Sequence, residues 1–184
     1  MILPITVYGN PILKRQAKNI DAGYPELHQL IEDMFATMYH ARGCGLAAPQ
    51  IGKSINVFVI DTTEMEEEGS TNEPVKMAFI NAEITDRFGT DEVFCEGCLS
   101  VPGINENVIR KSSITITWCD ENMESHTQTF EGMAARVIQH EYDHILGKTF
   151  IDRISPFKRT LLKGKLKDIE TGKKTTFYRT KPNK

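Results

Sequence analysis

The stretch Gln139-His140-Glu141-Tyr142-Asp143-His144 decides the reading of this chain, because it contains the pattern His-Glu-x-x-His. On a helix, residues four apart lie one turn apart on the same face, so His140 and His144 can offer imidazole nitrogens to one metal ion. Glu141 then stands where it can reach a water on that ion. The neighbours Met133, Val137 and Ile138 put the pattern on a helix expected from Gly132 to Gly147. The alternative, a pair of surface histidines on an ordinary helix, sits badly with those apolar residues. Imidazoles flanking a buried carboxylate are costly without a metal or specific partners.

The third ligand sets the class of metal site. Extended downstream, the pattern runs on to Gly147 and reaches Phe150 where a metzincin protease would place its last histidine, and Phe150 cannot bind a metal. Asp152, Asp168 and Glu170 are the downstream carboxylates that a thermolysin-like site could use, but none lies in a ligand motif. Upstream, Cys95-Glu96-Gly97-Cys98-Leu99-Ser100 supplies thiols. Read bare, both cysteines with both histidines could close a structural zinc site, although the separation far exceeds the usual finger spacing of about 12–15 residues. The competing reading takes Cys98 alone and leaves a coordination position for water. A further segment, Gly43-Cys44-Gly45-Leu46-Ala47-Ala48-Pro49-Gln50, lets a ligand approach the backbone closely and ends in an amide donor.

The chain has 184 residues, 40% of them hydrophobic, which suits one domain with a real core. No apolar run approaches the ~20 residues of a membrane span. The N-terminal Met1-Ile2-Leu3-Pro4-Ile5-Thr6-Val7 lacks the basic region and cleavage site of a signal peptide, so a cytoplasmic location is expected. The cysteines Cys44, Cys95, Cys98 and Cys119 are then expected as thiols. The net charge is −3, yet Lys158 to Lys184 carries ten basic residues against Asp168 and Glu170. Such a tail is expected to be solvated and partly disordered, with contact to RNA as the alternative.

Periodicity predicts a helix from about Pro25 to Ala41, with Leu27, Leu30, Ile31, Met34, Phe35, Met38 and Tyr39 on its apolar face and Gly43 as its stop. Strands are predicted at 56–60, 77–80 and 114–118, and a hairpin turn at Asp120-Glu121-Asn122 leads into another at 125–130. Trp118 is expected half-buried, His126 on the sheet, and His28 and His40 at the surface. A weaker helix from Pro156 to Ile169 should be interrupted by Gly164. The acidic stretch 64–74 reads as an exposed loop. Together these elements predict an α+β fold: a single domain of short antiparallel sheets packed around a central metal-binding helix. Arg110 is a candidate partner for Glu96, and Arg136 is expected at the surface or in a salt bridge.

Taken together, Gly43 to Gln50, Glu96 to Ser100 and Gln139 to His144 resemble the signature motifs GxGLAAxQ, EGCLS and QHExDH of the peptide deformylases, in the same order. The likeness extends to Pro4–Leu13 and Phe150–Pro156, covering roughly residues 1 to 165. It implies a catalytic domain over 1–165, with 166–184 as a basic tail. It implies that Cys98, His140 and His144 bind one divalent metal ion, with iron(II) expected and zinc, nickel or cobalt also compatible with a sulfur–nitrogen set. Glu141 would be the general base and acid. Gln50 and the backbone N–H of Leu99 would form the oxyanion hole. Cys44, Gly45 and Gly97 would bind the extended peptide backbone, and Cys44, Phe94, Met133, Val137 and the ring of His140 would line a methionine pocket. Cys95 would remain a free thiol. The implied activity is hydrolysis of the N-formyl group of nascent formylmethionyl peptides, with weak ribosome contact through the tail and neither DNA nor membrane as partners.

Overall fold

The computed structural model describes residues 1–65 and 73–183. The acidic stretch thus lies largely outside the described residues. The elements run β1 (Ile5–Thr6), α1 (Leu27–His40), β2 (Gly45–Ala47), β3 (Val57–Asp61), β4 (Lys76–Gly97), β5 (Asn105–Cys119), β6 (Ser125–Glu131), α2 (Gly132–Ile145), α3 (Pro156–Leu161), α4 (Lys163–Glu170) and β7 (Thr180–Lys181). Strands β2 to β6 form one antiparallel sheet in sequence order, and β1 pairs in parallel with β7. This is the α+β class. None of the described helices is long and apolar enough to cross a membrane.

Strand β3 shows why the sequence folds this way. Its run Val57-Phe58-Val59-Ile60 is apolar at every position because both faces of the sheet are covered. Successive side chains point to opposite faces. Phe58 and Ile60 join the cluster that includes Val137 and Ile138 of α2. Val57 and Val59 join the cluster that includes Met34 and Met38 of α1. A third cluster gathers Val101, Val108, Phe150, Leu166 and Ile169 beside the loop that follows β4. Helix α2 packs against β2, β3, β5 and β6, so nearly its whole circumference is buried.

Several elements depart from the sequence-based expectations. Tyr39 is exposed, because the buried face of α1 runs through Thr37 and Met38 instead. The chain leaves α1 through a left-handed Arg42, while Gly43 donates its N–H to the Met38 carbonyl. Strand β4 runs far past residue 80, bending through register shifts, and its outer half forms an exposed ribbon with β5. Trp118 is buried, packed on Phe79 and Phe130 with His126 stacked over it. The C-terminal helix breaks at Leu162, not at Gly164. α3 buries no residue, whereas α4 must turn Leu166 and Ile169 into the core. The tail expected to be partly disordered is docked: Ile5 and Val7 donate N–H groups to the Arg179 and Lys181 carbonyls, and Tyr178 is buried.

A buried charged knot clamps α2 onto the β4–β5 ribbon. Arg110 donates from Nε and Nη2 to the two oxygens of Glu96, at 2.6 and 2.9 Å, and from Nη1 to Asp143 Oδ2 at 2.8 Å. Arg136, expected at the surface or in a salt bridge, forms the salt bridge and is buried in it: it donates to Glu96 Oε1 and to the Glu92 and Val108 carbonyls. Arg153 closes the knot on Asp143. Removing one member leaves its partners' charges buried and unpaired. Arg110→Ala is therefore expected to cost about 3–5 kcal/mol of folding stability. A chemical-denaturation midpoint close to that of the parent protein would contradict this.

Candidate metal centre

The described residues contain one buried convergence of metal-ligand types. Cys98, His140 and His144 each offer a ligand atom, and all these atoms lie within 4.8 Å of one another. Cys98 Sγ is 3.3 Å from His144 Nε2. Ligands at the usual bond lengths around a tetrahedral ion stand about 3.3–3.8 Å apart, so the spacing suits a single ion. α2 supplies both imidazoles through its four-residue spacing, and the turn after β4 supplies the thiol. Phe150 is buried, with its ring stacked on that of His140 at 6.3 Å. Cys95 is exposed and stands outside the cluster.

Glu96 sets the chemistry of His140. Burial pushes the Glu96 carboxyl up, but hydrogen bonds from Arg110 and then His140 overcome this and hold it below the ordinary range. An ionised carboxylate only accepts, so His140 Nδ1 donates to Glu96 Oε2 at 2.9 Å. Its Nε2 is thereby turned towards the cluster, where a metal ion would take the place of its proton. Burial likewise opposes ionisation of Cys98, yet the charge on His144 and hydrogen bonds from both rings bring its thiol down to about 5. A divalent ion would replace the protons that those rings carry, leaving a thiolate with neutral imidazole nitrogens, and the residues present fit that donor set.

Glu141 is buried, and its Oε2 has no hydrogen-bond partner among the described residues. Burial raises its carboxyl to about 7. The side chain lies directly against Gly45: a Cβ at that position would stand 2.3 Å from Glu141 Oε1. A Cβ at Gly43 would meet Leu99 at 2.8 Å. The two glycines of the first motif thus make room for Glu141 and for the loop after Cys98. Gln50 is buried in a 3-10 turn, where its Oε1 accepts from the Ala47 N–H at 2.7 Å. This turns Nε2 towards Ser100 Oγ, at 3.2 Å, and Cys98 Sγ, at 3.6 Å.

The cluster opens into a cleft of about 1520 Å3. Cys44, Phe94, Met133, Val137 and the His140 ring line it, with Gly45 and Gly97 at its strand edges. Burial, then the charge of Glu141, raises the Cys44 thiol to about 12, so it behaves as a small apolar group. Sequence reasoning missed two parts of this cleft. One is the lining pair Tyr39 and Asp61, hydrogen-bonded to each other at 2.5 Å. The other is the C-terminal segment Lys174 to Tyr178. Neither carries a local signal, because each reaches the cleft only through tertiary packing.

A family model described as Polypeptide deformylase matches residues 2–160. The peptide deformylase of Christiangramia forsetii is 47% identical over 191 residues, covering 100% of this chain and 97% of its own. That of Flavobacterium johnsoniae is 46% identical, covering 98% and 96% respectively. A crystal structure of a peptide deformylase from Legionella pneumophila aligns with a TM-score of 0.80 at 39% identity, across 94% of this chain and 98% of its own. In sequence and in fold, this chain belongs to the polypeptide deformylase family.

Proposed function

We propose that this chain is a metal-dependent hydrolase that removes the N-formyl group, as formate, from the N-terminal formylmethionine of newly synthesised polypeptides. Family membership supports the reaction. The observation that carries the mechanism is the meeting of Cys98, His140 and His144 beside the unpartnered Glu141 Oε2 in the cleft. When bound there, a divalent ion supplies Lewis-acid polarisation and lowers the pKa of a water ligand from about 15.7 towards about 7.

The chain's own groups do the rest. Glu141 takes up the proton of the attacking water on Oε2, in a buried position that holds its carboxyl near neutrality. Gln50 Nε2 and the Leu99 N–H donate to the oxygen of the formyl carbonyl as charge gathers on it, a stabilisation whose loss typically costs about 2.7–4 kcal/mol per donor. Glu141 then returns its proton to the departing amine. The substrate backbone extends along Cys44-Gly45 and Gly97 as an added strand, and the methionine side chain enters among Cys44, Phe94, Met133 and Val137.

The experiment is formate release from formyl-Met-Ala-Ser, run beside casein and the unformylated peptide. Formate from the first substrate alone is expected. Cleavage of casein without formate would mark a protease instead. Glu141→Ala is expected to keep its metal, counted by elemental analysis, while losing at least ~10²-fold in turnover. Retained turnover would show that another group moves the proton.

We further propose iron(II) as the working ion, with zinc, nickel and cobalt as alternatives that the sulfur–nitrogen set accepts. Chelator-stripped protein reloaded anaerobically with iron(II) is expected to turn over faster than the zinc form and to decay in air. Equal rates and equal air stability would remove iron from the assignment. The same reading places the chain in the cytoplasm, at emerging nascent chains, with 1–165 as its catalytic part. The exposed Lys167 and Lys173 of the basic tail suit a weak phosphate contact with the ribosome. Co-sedimentation with ribosomes is expected to fade as salt rises, and no co-sedimentation even at low salt would rule the contact out.

A further inference from the structure

The family match ends at residue 160, yet the cleft does not end with it. The segment Lys174 to Tyr178 crosses back to form a wall of the same cleft that holds His140 and Glu141. Pairing of β7 with β1 fixes the segment at its C-terminal side. Tyr178 is buried and donates its hydroxyl to the Leu99 carbonyl at 2.8 Å. The wall is thereby tied to the loop that carries Cys98. That loop is held from the other side by Tyr8, whose N–H donates to the Ser100 carbonyl at 2.8 Å.

Phe177 stands on this anchor and remains 63% exposed. Its ring meets that of Tyr178 edge to face at 5.2 Å, and the Arg42 guanidinium lies 5.1 Å from its centroid. Both contacts fix the ring in place without covering it. A large aromatic surface left bare in a binding cleft, and already ordered, gains on binding without a further ordering cost. Arg42 follows α1, with a left-handed backbone.

We propose that Phe177 is a specificity-determining residue for the substrate chain beyond its formylated methionine, favouring apolar and above all aromatic side chains. The inference rests on the deformylase reading of the site. Tyr178 acts as the positioning residue that holds the ring over the cleft, and Arg42 braces it from the side. The selectivity arises in a segment that lies beyond the residues the family model matches, so it is a property of this chain's tail.

The test is a panel of formylmethionyl peptides in which one phenylalanine is walked through successive positions of an otherwise all-alanine chain. The reading is the ratio of kcat/KM for the best phenylalanine peptide to that of the all-alanine peptide. The parent enzyme is expected to show a ratio of about 3- to 10-fold, the range of a single aromatic pair. Phe177→Ala is expected to bring it close to one, and Phe177→Leu to keep part of it. A purely structural role would lower the rates on all peptides together and leave the ratio unchanged, and that result overturns the proposal. So does a parent enzyme that shows no preference. A parent enzyme releasing formate from none of the peptides would overturn the deformylase reading itself.

Discussion

Glu96 is the group on which the centre depends. One carboxylate accepts from Arg110 on both oxygens, from Arg136 on one and from His140 on the other. Its charge would be costly in such a buried place without those cations. With them it stays ionised, and an ionised Glu96 fixes which nitrogen of His140 carries the proton. The orientation of His140 is thus decided by arginines that stand outside the ligand cluster. Asp143, inside the same signature stretch, anchors Arg110 from the helix side and so ties the ribbon to α2.

The site's remaining parts follow from that clamp. β4 must pass close to α2 for Glu96 to reach His140, and this delivers Cys98 at the end of the strand to the face carrying both imidazoles. β2 lies at the opposite edge of the cleft, and the bareness of its Gly45 admits the Glu141 side chain. The two imidazoles and the acid–base residue come from α2, the thiol from the turn after β4 and the amide donor from the turn after β2.

Much of this was legible in the sequence. A four-residue histidine spacing, a thiol in a short motif and an apolar helix flank are local signals, and they led to α2 and the ligand cluster. The strand at 56–60 and the turn at Asp120 were equally readable. The salt-bridge expectation for Arg136 held, but its burial was not legible, because only its long-range partners Glu92, Glu96 and Val108 draw it inside. The break at Leu162 left no mark, since leucine favours helix and the turn there serves the core contacts of Leu166 and Ile169. The docked tail is hardest of all. β7 pairs with the start of the chain, and a basic composition hides two aromatic residues that face opposite surroundings.

The tight fit of Gly45 against Glu141 has an evolutionary corollary. Mutations that narrow a binding cleft are a common route by which enzymes escape unwanted ligands, and the first strand edge is an obvious place for one. Here even a methyl group at position 45 would collide with Oε1 of the Glu141 carboxyl and displace the whole group. Bulk added there would sacrifice turnover along with the intruder. Adaptation of this cleft is therefore channelled to other lining positions, such as Phe94 and Met133.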